Sequence, residues 1–412
     1  MVNPMTGRCH FELSGFGSGS GQDDEEKVAD RASSDAAVRT TAGGGASISA
    51  AGAERCCGEL RPGALKSSAT FESLDSTTAS ISGFAFSEGG FDRQFSMATS
   101  GDYYDDAWQT LIFFDWDDTL FPTTELFDIR QLDWKDKSCE IPADLEEELK
   151  VWRVAVSDYL RTALFLSKNV VLLTNSKRPW VDHCLERFFP EALSMFGEAL
   201  GLVKVVYADE VPECSSMRRT RSGGLRPLRT STDRMDEDVR MKCTRAKRTA
   251  MNREVVRFYS QYPNQTWKNI LSLGDMPYEH DAVQDVTFWR QGPSRERLRT
   301  KAIIVPSAPN LKEITLRLEF SRRMLPAYVH FDGSIDIDLA SSKDPLYTLS
   351  QALEFPELLG VNFPLYAWGL KQETPSEEFM KEALKRLTVA VQEHVAKSML
   401  SQEYVRDDRR RS

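Results

Sequence analysis

The stretch Leu111-Ile112-Phe113-Phe114-Asp115-Trp116-Asp117-Asp118-Thr119-Leu120-Phe121-Pro122 constrains this chain more than any other. Its apolar run does not alternate with polar residues, and it stops abruptly at carboxylates. That is the pattern of a strand buried on both faces of a parallel sheet. Such sheets place ligand sites at the carboxyl ends of their strands, where Asp115 and Asp117 stand. Like charges so close together repel unless a cation or a shared proton relieves them. The stretch therefore points to a metal-dependent phosphate site.

Similar runs follow along the chain. Val170–Leu173 ends at Thr174-Asn175, Leu202–Tyr207 is a third strand, Ile270–Leu273 runs into Gly274-Asp275, and Ala302–Val305 is a fifth. Between them, apolar residues recur at helical spacing: Leu145 to Ala163 after Pro142, Trp180 to Phe188, Ala246 to Tyr262, and a helix opening near Asn310. Strands alternating with helices predict an α/β, Rossmann-like fold with a mainly parallel sheet and helices on both faces.

Residues 1–105 are rich in Gly, Ser, Ala and Thr and lack apolar periodicity, so disorder is expected there. A folded domain is expected over 106–325, with a flexible Arg-rich insertion at 212–240 that includes Arg218, Arg219, Arg221, Arg226 and Arg229. Residues 326–412 read as a C-terminal extension. Asp332-Gly333 between two apolar runs signals a hairpin, and Thr374-Pro375-Ser376-Glu377 reads as a capping box opening an amphipathic helix whose last arginines, Arg409–Arg411, fray.

Net charge of −10 argues against a general nucleic-acid binder. The seven cysteines form no Cys-x-x-Cys pair, which predicts a reduced chain without structural zinc. No apolar run reaches the roughly 18 residues of a membrane span, and the N-terminus lacks the apolar core of a signal peptide. An intracellular protein, cytoplasmic or nuclear, is the expectation.

Asp115-Trp116-Asp117-Asp118-Thr119, the strand ending at Thr174, the lysine Lys247 opening a helix, and the acidic cluster Gly274–Glu279 occur in an order that resembles the haloacid dehalogenase superfamily. The resemblance covers residues 108–325. It implies an Asp-x-Asp-x-Thr phosphatase with a minimal cap, in which Asp115 is the nucleophile that forms an aspartyl-phosphate. Asp117 would be the general acid–base. Mg²⁺ would be held by Asp115, the backbone carbonyl of Asp117, and Asp275. Thr174 would meet the transferring phosphoryl group, with Asn175 beside it, and Lys247 would neutralise charge. Lys242 is the alternative lysine. The fourth motif departs from the usual spacing of aspartates, since Glu279 occupies the fourth position after Asp275. Glu279 is therefore placed behind the metal ligands, reaching the metal through water or orienting the lysine. Asp118 and Thr119 read as helix-capping residues and Trp116 as packing.

Chain between the motifs leaves no room for a separate roofing domain, so a phosphorylated protein or other bulky phosphomonoester is the expected substrate. The alternatives are a small-metabolite phosphatase and an inactive scaffold that keeps the fold.

Overall fold

The computed structural model describes residues 103–133, 140–197, 199, 201–210, 231–261, 266–288, 290, 297–370 and 373–411, without the side chains of 231–236 and 405–411. The disorder expected for 1–105 lies outside the described residues except at 103–105, and the insertion expected at 212–240 lies outside them through residue 230.

Six strands, β1 (Thr110–Phe114), β2 (Asn169–Thr174), β3 (Val203–Tyr207), β4 (Asn269–Gly274), β5 (Arg299–Ile304) and β6 (Ile335–Asp338), form one sheet in the order β3-β2-β1-β4-β5-β6. Every neighbouring pair is parallel. The helices are α1 (Ala143–Leu166), α2 (Trp180–Phe188), α3 (Ser231–Tyr259), α4 (Pro277–Phe288), α5 (Leu311–His330), α6 (Pro345–Ala352) and α7 (Glu377–Arg411).

Strand alternation divides the core in two. Ile112 and Phe114 of β1 join Val170, Leu172, Leu271 and Ile303 on the face covered by α1 and α5. Leu111 and Phe113 join Val171, Leu173, Ile270 and Ala302 on the face covered by α3 and α4. The sheet is thus an α/β, Rossmann-like layer with helices on both faces, and β1 runs through its middle. Strand order reverses at β1, between β2 and β4, and in open sheets of this kind ligands bind at the carboxyl ends of the strands beside such a reversal.

Several expectations need correction. The Asp332-Gly333 hairpin does not form: α5 continues through Pro326 to His330, and Ile335–Asp338 pairs parallel to β5 as a sixth strand. Leu325, Tyr328 and Val329 are buried, so packing carries the helix past Pro326. Helix α3 begins at Ser231 rather than near residue 246. Its early turns are crowded with charge and offer no apolar stripe to read, and ion pairs such as Arg240–Asp281 (2.7 Å) tie them to α4. Lys247 consequently sits within the helix instead of opening it.

The helix α4 was not anticipated at all. The cap of α7 is Ser376, whose hydroxyl accepts the Phe379 N–H at 3.3 Å, and not Thr374 followed by proline. A complete capping box occurs instead at α5, where Asn310 and Glu313 exchange bonds of 2.9 and 3.0 Å. Helix α7 runs through Arg411, where fraying was expected. Cys243, buried on α3, is disulfide-bonded, an exception to the reduced chain expected.

Candidate active site

The backbone leaving β1 sets the site's geometry. Asp115 N–H still donates to Leu273 O at 3.0 Å, so the ladder with β4 persists one residue past the strand. The chain then turns sharply: Leu120 and Phe121 N–H both donate to Trp116 O, at 3.0 and 2.9 Å, and Asp118 N–H donates to Phe121 O at 2.7 Å. Asp118 sits in the left-handed region with φ of 55°, a conformation that aspartate tolerates better than most residues. Its carboxylate takes the Thr124 N–H (2.9 Å) and hydroxyl (2.5 Å), so it braces the turn that follows. Trp116 packs away from the acids, stacked on Phe121 with centroids 5.2 Å apart.

Asp115, Asp117, Thr174, Lys247, Asp275 and Glu279 are all buried at this edge of the sheet. Lys247 reaches it from α3, with Nζ 2.5 Å from Asp115 Oδ1 and a second bond to Glu279 Oε1. Lys242, by contrast, lies exposed on the same helix. Burial would pull the Lys247 ammonium down, but Asp115 and Glu279 outweigh it and hold it above the ordinary lysine range.

Glu279 is the third residue of α4 and uses its other oxygen to accept the Met276 N–H at 3.2 Å, half of a capping box. Gly274 makes this possible, because a Cβ there would lie 2.5 Å from Glu279 Cγ and 2.8 Å from Oε2. Burial raises the Glu279 carboxyl to about 7, with Lys247 opposing and Asp115 adding to the rise.

The Asp117 carboxylate is enclosed by four donors. Oδ1 accepts from the Thr123 hydroxyl and the Trp180 indole, both at 2.7 Å, and Oδ2 from Ser176 at 2.8 Å and Thr174 at 3.2 Å. Burial, then Asp115, raises its pKa to about 6 despite the bonds from Thr123, Trp180 and Ser176. Thr174 Oγ1 also accepts the Ser176 N–H at 2.9 Å, which holds the loop after β2 against the acid.

Thr123, Ser176 and Trp180 were missed from the sequence as site residues. The signal available was two hydroxyls close to motif residues; Trp180 looked like any apolar position of a helix. Asn175 does not join this network: both atoms of its amide are buried without a partner. Arg317 was missed as well. It is buried on α5 and donates to Ala367 O (3.0 Å) and Pro306 O (2.5 Å), and its charge acts on Asp275 and Asp118.

Asp275 has a carboxyl held well above its usual range by burial and by Asp115, Glu279 and Asp118. Its contact with the Thr119 hydroxyl is long, at 3.5 Å. Among the described residues no three His, Cys, Asp or Glu side chains form a ready-made metal cluster. The donor set nevertheless fits a hard cation. Asp115 and Asp275 are buried beside further acids that Lys247 does not fully balance, and carboxylate oxygens are the donors that such a cation takes.

Among the described residues no helix is long and apolar enough to cross a membrane. Comparison with protein-family models, curated proteins and solved structures finds no match to this chain.

Proposed function

We propose that this protein is a Mg²⁺-dependent phosphatase of the haloacid dehalogenase type that works through an aspartyl-phosphate. The observation that carries this reading is the division of charge at the end of β1: Lys247 is bonded to Asp115, while Asp117 is enclosed by hydroxyls and an indole instead of a cation. Two carboxylates in one chain turn thus have opposite environments, which is how one fold supplies both a nucleophile and a proton donor.

Asp115, bonded to Lys247, attacks phosphorus. Asp117, whose pKa of about 6 lies near neutrality, gives a proton to the leaving oxygen and then takes one from water. Lys247 offsets the charge that builds on Asp115 and the phosphoryl oxygens. Mg²⁺, held by Asp115, the Asp117 carbonyl and Asp275, would neutralise further charge on the phosphoryl group. Glu279 holds Lys247 in place.

A bulky substrate such as a phosphoprotein is favoured because, among the described residues, only a short helical turn, α1 and their connections lie between β1 and β2. The test is hydrolysis of an aryl phosphate with Mg²⁺ by the full chain, with trapping of the acyl phosphate. Turnover that disappears in Asp115→Asn and with a chelator is expected. No hydrolysis and no trapped intermediate would leave an inactive scaffold as the better reading.

A further inference from the structure

We infer that Arg317 is a positioning residue: its guanidinium, clamped by the helical turn Leu365–Trp368, lends the carboxyl edge of the sheet a fixed positive charge that favours phosphate and restrains Mg²⁺. The inference rests on the phosphatase reading above and extends it to a residue that acts on the site through its charge.

Four basic side chains are buried among the described residues: Lys247, Arg299, Lys301 and Arg317. Two of them belong to the amino ends of the strands. Arg299 opens β5 and is bonded to Asp332 at 2.6 Å, and Lys301 donates to Val329 O and to the side chain of Asn269, the first residue of β4. Lys247 is matched by Asp115 and Glu279. Arg317 is different. It donates to two carbonyls, Ala367 O at 3.0 Å and Pro306 O at 2.5 Å, and among the described residues to no carboxylate. A buried charge without a bonded counter-ion is costly and calls for an explanation. Burial lowers its pKa to about 10, so the guanidinium keeps its proton at neutrality.

The position of the residue supplies the explanation. Pro306 lies just past the end of β5, and the Val305 N–H before it donates to the carbonyl of Gly274, at 2.9 Å, next to Asp275. Asp275 and Asp118 are among the acids whose charge Arg317 meets, after Glu313 of its own helix. Together with Asp115 and Glu279 they crowd one edge of the sheet. A second positive charge at that edge raises the affinity for a doubly charged anion and lowers that for a divalent cation.

The clamp comes from outside the stretch that resembles the haloacid dehalogenases. Trp368 meets Phe320, one turn after Arg317, edge-on with centroids 4.9 Å apart, and Phe363 lies 4.8 Å from the same ring. The Tyr366 hydroxyl donates to Asn310 Oδ1 at 3.2 Å. The turn is thereby fixed to α5 on both sides of Arg317, and the Ala367 carbonyl between them holds the guanidinium in one place.

The test measures binding by calorimetry on the full chain and on Arg317→Gln, first of Mg²⁺ alone and then of inorganic phosphate at saturating Mg²⁺. Loss of the charge should tighten Mg²⁺ by ~10-fold and weaken phosphate by ~10-fold, the order expected of one unit charge in a protein interior. Arg317→Lys keeps the charge but not the planar fork that spans two carbonyls. It should melt below wild type and bind both ions as wild type does. Glu313→Gln covers the case in which Arg317→Gln does not fold. Glutamine can keep the capping box with Asn310, and removal of a charge that offsets Arg317 should shift both affinities the opposite way, by roughly 3-fold. A mere strut, once loosened, would weaken both ions alike. Unchanged affinities in Arg317→Gln, or equal weakening of both ions, overturn the inference and spare the phosphatase reading. If Arg317→Gln does not fold, unchanged affinities in Glu313→Gln overturn it. A wild-type chain that binds neither ion and turns over no aryl phosphate overturns that reading and takes the inference with it.

Discussion

Lys247 Nζ lies 2.5 Å from Asp115 Oδ1, and the pair is sealed from solvent, with the lysine 1 % exposed. A buried pair broken on one side leaves an uncompensated charge, which costs about 3–5 kcal/mol. Lys247→Met should therefore lower stability in urea by about that much and abolish turnover. Lys242→Met, on an exposed position, should change stability by less than about 0.5 kcal/mol. Equal effects from the two substitutions would place the working cation elsewhere.

Asp115→Asn removes the proposed nucleophile together with one of the negative charges that raise the carboxyls of Asp117, Asp275 and Glu279. Turnover and the trapped acyl phosphate should vanish while the chain stays folded. Loss of activity through unfolding, seen as a collapsed melt, would remove the evidence for a chemical role.

Gly274→Ala drives a methyl group into the Glu279 side chain, where its nearest contact would be 2.5 Å. Overpacking of this kind costs roughly 1–3 kcal/mol, and the displaced carboxylate loosens Lys247. The effect should shrink in a Glu279→Ala background, because the obstructing atoms are gone. A double-mutant cycle measures this, and a coupling below about 0.5 kcal/mol would show the two positions to be independent.

The Asp117 carboxyl, raised from its ordinary 3.8 to about 6, gives stability a direction in pH. The folded chain holds this proton more tightly than the unfolded one, so ionisation between about pH 4 and 6 costs stability as pH rises. The stability of wild type relative to Asp117→Asn should therefore fall across that window in chelator, as read by thermal melts. A difference that rises with pH would reverse the sign of the shift.

Magnesium should raise the melting temperature of the wild-type chain, since a ligand of the native state alone stabilises it by about 2.7 kcal/mol at one hundred times its Kd. Asp275→Asn should remove most of that increase. An equal increase in the variant would mean that the ion binds elsewhere.

The strands that carry the site were legible because each is a continuous apolar run with a polar stop, a pattern that burial on both faces enforces. Asp115, Thr174 and Asp275 could be located for that reason: they are the stops. The partner of strand β6 was not legible, because Ile335-Asp336-Ile337-Asp338 alternates and reads equally well as one arm of a hairpin; only its docking on β5 decides the matter. Helix α4 was hidden by a first turn that reads as a cluster of acids after a strand. The partners of Asp117 were illegible for a different reason. Thr123, Ser176 and Trp180 lie in separate segments, and no local pattern marks hydroxyls and an indole that converge only in space.

The central position of β1 bears on how the site tolerates change. Its backbone is hydrogen-bonded to parallel neighbours on both sides, so a shift of the strand would have to move β2 and β4 with it. Asp115, Thr174 and Asp275 therefore inherit their spacing from the stiffest part of the sheet, while the edge strands β3 and β6 supply none of them. Drift in sequence should be most permissible at those edges and least at β1, β2 and β4. The protein can thus remodel its flanks while the distances between Asp115, Thr174 and Asp275 stay the same.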